Sequence, residues 1–110
     1  MYVRRCDGEP FVYVSLDIGM GSWTIKRGIL QKLKEVGVNL RSDQLIISGT
    51  HTHSGPAGSF DYFSFQVTSG GYIDDVTTAI VDGTVASIRQ AGMPIWISGL
   101  LLQCLLLLHH

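Results

Sequence analysis

The hydrophobic residues of this chain fall into segments whose spacing predicts two strands and two helices in alternation. Residues 11–18 are β-branched or aromatic at most positions and are followed by a Gly-Met-Gly turn. Such a run predicts a buried strand that stops at the turn. Residues 45–50 form a second short apolar run, which predicts a second strand.

Between the two predicted strands, apolar residues recur at intervals of four, four and three positions: Ile25, Ile29, Leu33 and Val36. This spacing predicts an amphipathic helix over residues 22–36. Ser22 can accept a hydrogen bond from an unpaired amide of the first turn. Gly37 suits the left-handed conformation that ends many helices.

A second helix is predicted by apolar residues at near-helical spacing in the last third of the chain: Ile73, Val76, Ile80 and Ile88. Asp74 and Asp75 lie in its first predicted turn and Arg89 lies near its end, where the helix dipole favours each charge. We expect this helix to end before Gly92.

The order strand, helix, strand predicts a parallel pair joined by a right-handed crossover, because one connecting helix packs back onto the sheet only with that hand. We therefore predict the α/β class, with a partial sheet built on a parallel strand-helix-strand unit. A chain of 110 residues is long enough for one small domain or for part of a larger one.

Composition and charge exclude several classes of protein. Hydrophobic residues make up 45% of the chain and charged residues 15%, which argues against a disordered segment. The formal net charge of -1 offers no footprint for a nucleic acid, so no nucleic-acid partner is expected. No apolar run of signal-peptide length lies near the first residue, so no signal peptide is expected in this chain. The apolar run 95–108 is shorter than the ~20 residues that cross a bilayer.

Candidate chemistry is concentrated in residues 50–58, directly after the second predicted strand. In an extended backbone, His51 and His53 project to the same side with Cα atoms ~6.5 Å apart, where they could share a metal or a substrate. Ligands of open α/β sheets bind beyond the carboxyl ends of the strands, and neutral imidazole is a good zinc ligand. A histidine pair at a strand end can also be hydrogen-bonded structure, so both interpretations stay open.

Asp17 closes the first predicted strand, and we expect it at the same edge of the sheet as His51. Its carboxylate could orient an imidazole there or bind a metal. The alternative is a carboxylate that serves only the turn or the entry into the following helix.

Residues 47–58, with the sequence ISGTHTHSGPAG, resemble the metal-site signature of the neutral ceramidases. Residues 14–17 and the following turn resemble the strand before the family's first helix. Residues 81–83 and 87–91 resemble the helix after the signature. We therefore predict that residues 11–91 are the N-terminal part of a larger ceramidase catalytic domain and that residues 92–110 are a divergent leucine-rich tail.

The resemblance implies an amidase that uses a single zinc to hydrolyse the N-acyl bond of ceramide to sphingosine and a fatty acid. By position, His51 matches the family's first zinc ligand. His53 matches a nearby catalytic histidine that is not a ligand and is expected to form hydrogen bonds around the reacting centre. This assignment replaces the symmetrical pair suggested by strand geometry. Zinc would polarise the amide carbonyl and lower the pKa of bound water towards ~7.

The resemblance also carries expectations about location and completeness. Family members act in the secretory route or at membranes, which implies a membrane-associated or secreted protein that meets the membrane surface through its sphingolipid substrate. The family's second zinc-binding histidine, glutamate, tyrosine, serine and arginine have no counterparts that can be placed in this chain. One protein ligand cannot hold catalytic zinc, so we expect a truncated, inactive piece or a mispredicted gene model.

Two other classes of function remain open from the sequence. A histidine pair at a strand end also occurs in unrelated zinc amidohydrolases. The chain could instead be a small non-enzymatic binding protein. In that case the glycine-rich residues 54–59 and the aromatic residues 60–65 would form a binding loop, and the leucine-rich tail would dock on a partner or a membrane.

Overall fold

The computed structural model describes residues 2–4 and 10–91. The strands and helices follow in this order: β1 (Tyr2–Arg4), β2 (Pro10–Leu16), α1 (Trp23–Glu35), a 3₁₀ turn (Ser42–Gln44), β3 (Leu45–Gly49), α2 (Phe63–Ser69) and α3 (Asp74–Ala91). None of the described helices combines the length and the apolar character of a membrane span. The predicted leucine-rich tail at 92–110 lies outside the described residues.

The sheet contains three strands in the order β1-β2-β3. β2 and β3 are parallel, with Val14 opposite Ile47, which confirms the predicted strand-helix-strand unit and the α/β class. β1 pairs with β2 in the antiparallel direction. The hydrophobic pattern does not predict β1, because a strand of three residues is too short to display a period.

α1 begins and ends where its capping residues predict. The side-chain oxygen of Ser22 accepts a hydrogen bond from the backbone amide of Ile25 at 3.1 Å. Gly37 follows the helix in the left-handed conformation, with φ of 84°. Three residues of the predicted stripe are buried in α1: Ile25, Ile29 and Leu33. The fourth, Val36, follows the last helical residue and is exposed.

α3 confirms the predicted second helix but buries a different stripe. Its buried residues are Thr77, Val81, Thr84, Val85 and Ile88. Ile73 precedes the helix and is exposed, while Val76 and Ile80 are half-buried. The spacing therefore predicted the helix correctly and its core face in part, since Ile88 is buried and Ile80 packs against the core. α3 carries apolar residues on more than one side, and packing against α1 selects which side is buried.

α1 and α3 approach closely because Gly28 has no side chain at their contact. A Cβ atom on Gly28 would lie 3.0 Å from Cγ2 of Val81. Lys32 and Asp82 form an ion pair across the same two helices, with both side chains partly exposed. The helices and the sheet together enclose one core: Val12, Val14, Ile18, Ile25, Ile29, Leu33, Leu45, Val81, Val85 and Ile88.

The aromatic segment 60–65 enters helix α2 at Phe63, so it is not the continuous binding loop of the non-enzymatic interpretation. The ring of Phe65 lies 5.2 Å from that of Phe60 and 6.4 Å from that of Tyr62, between centroids. Within the described residues, α2 buries no side chain. Phe63 is 81% exposed and Val67 is 68% exposed, so this helix lies outside the core.

Candidate functional site

The candidate site lies where β2 and β3 end. Beyond the last paired strand residues, the backbone amide of Thr50 donates to the carbonyl oxygen of Leu16 at 3.0 Å. The amide of His51 donates to the carbonyl oxygen of Ile18 at 3.2 Å. These bonds hold His51 at the carboxyl ends of two parallel strands, where α/β sheets bind their ligands. The predicted position of His51 in the fold is therefore confirmed.

Gly49 allows the two strand ends to approach this closely. A Cβ atom at residue 49 would lie 2.8 Å from the carbonyl oxygen of Ile18 and 2.9 Å from Cα of Met20. Both neighbours are backbone atoms, which cannot move aside as a flexible side chain can. Any other residue at position 49 would push the segment after β2 away from Thr50 and His51.

His51 adopts a left-handed backbone conformation, with φ of 63°. This corrects the extended backbone assumed in the sequence analysis. A residue other than glycine in this region costs on the order of 1 kcal/mol, and such residues persist where surrounding contacts hold them. Histidine tolerates the conformation better than β-branched or bulky residues do.

The ring of His51 is oriented by a backbone carbonyl. Its Nδ1 atom lies 3.0 Å from the carbonyl oxygen of Gly19. A carbonyl oxygen can only accept, so in this bond Nδ1 carries the proton. In the neutral ring, Nε2 then carries the lone pair that can bind a metal. Histidine ligands in proteins commonly donate their second ring nitrogen to a carbonyl or a carboxylate in this way.

The ring of His53 lies next to that of His51. The two centroids are 5.0 Å apart, and the ring planes meet at 80°. Both side chains are exposed. The prediction that these histidines face one space is confirmed, although a left-handed residue rather than a regular strand brings them together.

Asp17 contacts the residue before His51. One of its carboxylate oxygens, Oδ1, accepts a hydrogen bond from the hydroxyl of Thr50 at 2.7 Å. The group that orients the imidazole is the carbonyl of Gly19, whereas Asp17 holds the neighbouring threonine. Neither Gly19 nor Thr50 was singled out from the sequence, because their contacts join residues more than thirty positions apart.

The glycine-rich part of the signature shapes the path away from the histidines. The backbone amide of Ser54 donates to the hydroxyl oxygen of Thr52 at 3.2 Å, which closes a tight turn. Gly58 is left-handed, with φ of 89°, and its carbonyl oxygen accepts from the amide of Ile73 at 2.8 Å. A Cβ atom on Gly58 would lie 2.8 Å from Cγ1 of Ile73. The hydrogen bond between Gly58 and Ile73 holds the glycine-rich loop against the residue that precedes α3.

The donor atoms present fit part of a zinc site. Among the residues that the structure describes, no group of three or more histidine, cysteine, aspartate or glutamate side chains could hold a metal ion. Catalytic zinc commonly has three protein ligands and one open position. His51 offers one suitably oriented imidazole nitrogen, so a complete site needs ligands beyond those described. Two surface grooves, one beside β3 and one between α1 and α3, are lined by residues other than the histidines.

Comparison with known proteins places this geometry in a family. The family model for neutral/alkaline non-lysosomal ceramidase, N-terminal, matches residues 2–103. This match extends on both sides beyond residues 11–91, the segment that the sequence analysis assigned to the ceramidase domain. Neutral ceramidase 3 of Arabidopsis thaliana is 40% identical over 88 residues, which cover 76% of this chain and 12% of that protein. Neutral ceramidase of Pseudomonas aeruginosa is 34% identical over 89 residues, which cover 80% of this chain and 13% of that protein.

Solved structures agree with the sequence comparison. The crystal structure of neutral ceramidase from Pseudomonas aeruginosa matches with a TM-score of 0.74 and 32% identity, over 82% of this chain and 15% of that chain. The chain thus spans about one eighth of the length of the curated relatives it matches. The strand-end geometry, the sequence matches and the shared fold agree, and the chain belongs to the neutral/alkaline non-lysosomal ceramidase family, in its N-terminal region.

Proposed function

We propose that this chain forms the part of a neutral ceramidase catalytic domain that supplies the first zinc-binding histidine. The reaction is zinc-dependent hydrolysis of the N-acyl amide bond of ceramide to sphingosine and a free fatty acid. One observation carries the proposal. His51 lies at the carboxyl ends of two parallel strands, with Nδ1 bound to a backbone carbonyl, and this leaves the lone pair of Nε2 available for a metal.

Each residue of the site has a separate role in this proposal. His51 binds the metal through Nε2. A zinc ion held there would supply Lewis-acid chemistry, which polarises an amide carbonyl and lowers the pKa of a water molecule. His53, whose ring centroid lies 5.0 Å from that of His51, forms hydrogen bonds with the reacting groups rather than with the metal. Asp17 supports the site from outside the metal's ligands, through Thr50.

The described residues by themselves are proposed to be inactive towards ceramide. Zinc affinity and water activation both depend on the full set of ligands and on the groups that orient them. His51 alone would bind zinc weakly. The remaining ligands of a working site would have to come from other parts of a catalytic domain.

The substrate class bears on where the reaction takes place. Ceramide carries long hydrocarbon chains and is held in membranes, so an enzyme that cleaves it must meet a lipid surface or extract the lipid from one. On the strength of the family resemblance, we propose a protein of the secretory pathway that is secreted or membrane-associated. Contact with the membrane would be made through the lipid substrate.

A chimeric enzyme tests the proposal. Residues 11–91 of this chain would replace the matching segment of the Pseudomonas aeruginosa neutral ceramidase, and zinc content and ceramide hydrolysis would be measured together. We expect the chimera to hold zinc and to release fatty acid. His51→Ala should abolish both zinc retention and turnover, because it removes a ligand.

His53→Ala is the matched control, because it deletes the neighbouring ring by the same substitution. It should leave the zinc content unchanged and lower the rate of hydrolysis by roughly 100-fold or more, as loss of a proton-transfer or hydrogen-bonding group does. The 110-residue chain alone should release no fatty acid. A chimera without activity, or a His51→Ala chimera that keeps its zinc and its rate, would contradict the proposal.

A further inference from the structure

Four consecutive residues, the last residue of β2 and the three that follow it, each accept one hydrogen bond from the two residues after β3. The carbonyls of Leu16 and Ile18 accept from the backbone amides of Thr50 and His51. Between them, the carboxylate of Asp17 accepts from the hydroxyl of Thr50 at 2.7 Å. The carbonyl of Gly19 accepts from the ring of His51 at 3.0 Å. Both the backbone and the ring of His51 are thus held against the same segment.

The bond to Gly19 selects one of the two neutral forms of the imidazole. A histidine without a partner exchanges between tautomers with the proton on Nδ1 or on Nε2, and the partner of one nitrogen decides which form dominates. The bond to Gly19 requires the proton on Nδ1, which leaves Nε2 unprotonated. The ring forms this bond with residue 51 in its left-handed conformation beside the segment after β2.

The bond between Asp17 and Thr50 is the one contact of the four in which both partners are side chains. It fixes the side chain of Thr50, which directly precedes the left-handed residue His51. A hydrogen bond to an ionised carboxylate is shorter and stronger than one between neutral groups. Neither side chain forms a hydrogen bond with the imidazole, whose bond is to the carbonyl of Gly19, so we expect their effect on the ring to pass through the backbone of residues 50 and 51.

We propose that Asp17 and Thr50 are positioning residues that keep the His51 imidazole in the Nδ1-protonated form and so present Nε2 to the metal. The proposal rests on the proposed function of His51 as a zinc ligand. It adds that the ligand is prepared before any metal binds, by a hydrogen bond between two exposed side chains at the ends of β2 and β3.

Nitrogen NMR of the ¹⁵N-labelled 110-residue chain tests this directly, at a pH where the imidazole is neutral. In the unaltered chain, Nδ1 of His51 should resonate as a protonated, pyrrole-type nitrogen and Nε2 as an unprotonated, pyridine-type nitrogen. The signals of His51 are assigned by their loss in His51→Ala. In Thr50→Val, both nitrogen shifts should move towards the averaged values of an unstructured histidine.

Two conservative variants should preserve the tautomer. Thr50→Ser keeps the hydroxyl and should retain the nitrogen shifts of the unaltered chain. Asp17→Asn keeps an oxygen acceptor and should retain them as well, whereas Asp17→Ala should behave like Thr50→Val. Thr52→Val is the matched control, because it makes the same substitution two residues away and removes only the bond to the amide of Ser54. It should leave the nitrogen shifts of His51 unchanged.

Several results would overturn the proposal. One is a His51 ring protonated on Nε2 in the unaltered chain, and another is a set of nitrogen shifts that are the same in Thr50→Val and Thr50→Ser. Asp17 and Thr50 are both exposed, so removing their bond should leave the backbone amide spectrum folded. Unfolding in both Thr50→Val and Asp17→Ala would show that the pair supports the fold rather than the ring. None of these results bears on whether His51 binds zinc, which the chimera decides.

Discussion

At the residue scale, the site depends on two backbone requirements at adjacent places in the chain. His51 is left-handed, and Gly49 meets backbone atoms that leave no room for a Cβ atom. Both requirements arise because the segment after β3 lies directly against the segment after β2. The hydrogen bonds to Leu16 and Ile18 offset the conformational cost at residue 51.

We predict that Gly49→Ala destabilises the chain by about 1–3 kcal/mol, because the added methyl group must displace backbone rather than a side chain. The free energy of unfolding would be measured by urea denaturation. Gly83→Ala is the control, because Gly83 lies within α3 and a Cβ atom there meets nothing within 4 Å. That control should be stabilised by up to about 1 kcal/mol from helix propensity. Equal effects at both positions would show that the close approach at Gly49 is not required.

At the scale of the elements, the strand-helix-strand unit is specified by the capping residues and buried stripe of α1, and it is completed by the packing of α3 against α1. Ser22 and Gly37 mark the ends of α1, and the stripe of buried isoleucine and leucine residues turns the helix towards the sheet. α3 packs against the same helix at Gly28. The unit therefore places the ends of β2 and β3 side by side, which is the requirement for the candidate site.

We expect Ser22→Ala to lower the free energy of unfolding by about 1 kcal/mol, because it leaves the amide of Ile25 without its capping oxygen. Thermal unfolding followed by circular dichroism would measure the change. Ser87→Ala is the comparison, since Ser87 is exposed within α3 and alanine favours a helix more than serine does. A loss of stability in Ser87→Ala as large as in Ser22→Ala would argue against a capping role for Ser22.

At the scale of the whole molecule, part of the apolar surface has no covering element among the described residues. α2 buries nothing, and Phe63 and Val67 lie one helical turn apart with 81% and 68% of their surfaces exposed. On the outer face of the sheet, Tyr13 is 39% exposed and Ile46 is 45% exposed. Exposed apolar surface of this kind favours association with other molecules or with hydrophobic dyes.

We predict that the double variant Phe63→Ser with Val67→Ser binds less of a hydrophobic fluorescent dye than the unaltered chain. Its stability should change by less than about 1 kcal/mol, because substitutions of exposed residues remove little packing.

Val12→Ala is the opposite case, since Val12 is fully buried in the core. It should lower the free energy of unfolding by about 1–3 kcal/mol. Dye fluorescence that is unchanged in the double variant would mean that α2 is not an accessible surface.

The sequence by itself determined the elements whose signals are local. Helical spacing and capping residues predicted α1 almost to its ends, and the two apolar runs predicted the parallel strands β2 and β3. The twelve-residue signature predicted the family, because a match of that length is far more specific than a histidine pair alone. The hydrophobic pattern missed β1, α2 and part of the buried face of α3, because three residues show no period and several faces of a helix can be apolar.

Only the tertiary structure decided how the site is held. Leu16 lies opposite Gly49 in the sheet, so the next residues along each strand, Asp17 and Thr50, come together. The left-handed conformation of His51 and the proton on its Nδ1 atom follow from contacts with Ile18 and Gly19. These partners are more than thirty positions away along the chain, and no local pattern encodes a hydrogen bond across that separation. The sequence determined that a histidine stands at the end of a strand, and the register of the two strands decided which of its nitrogens is presented.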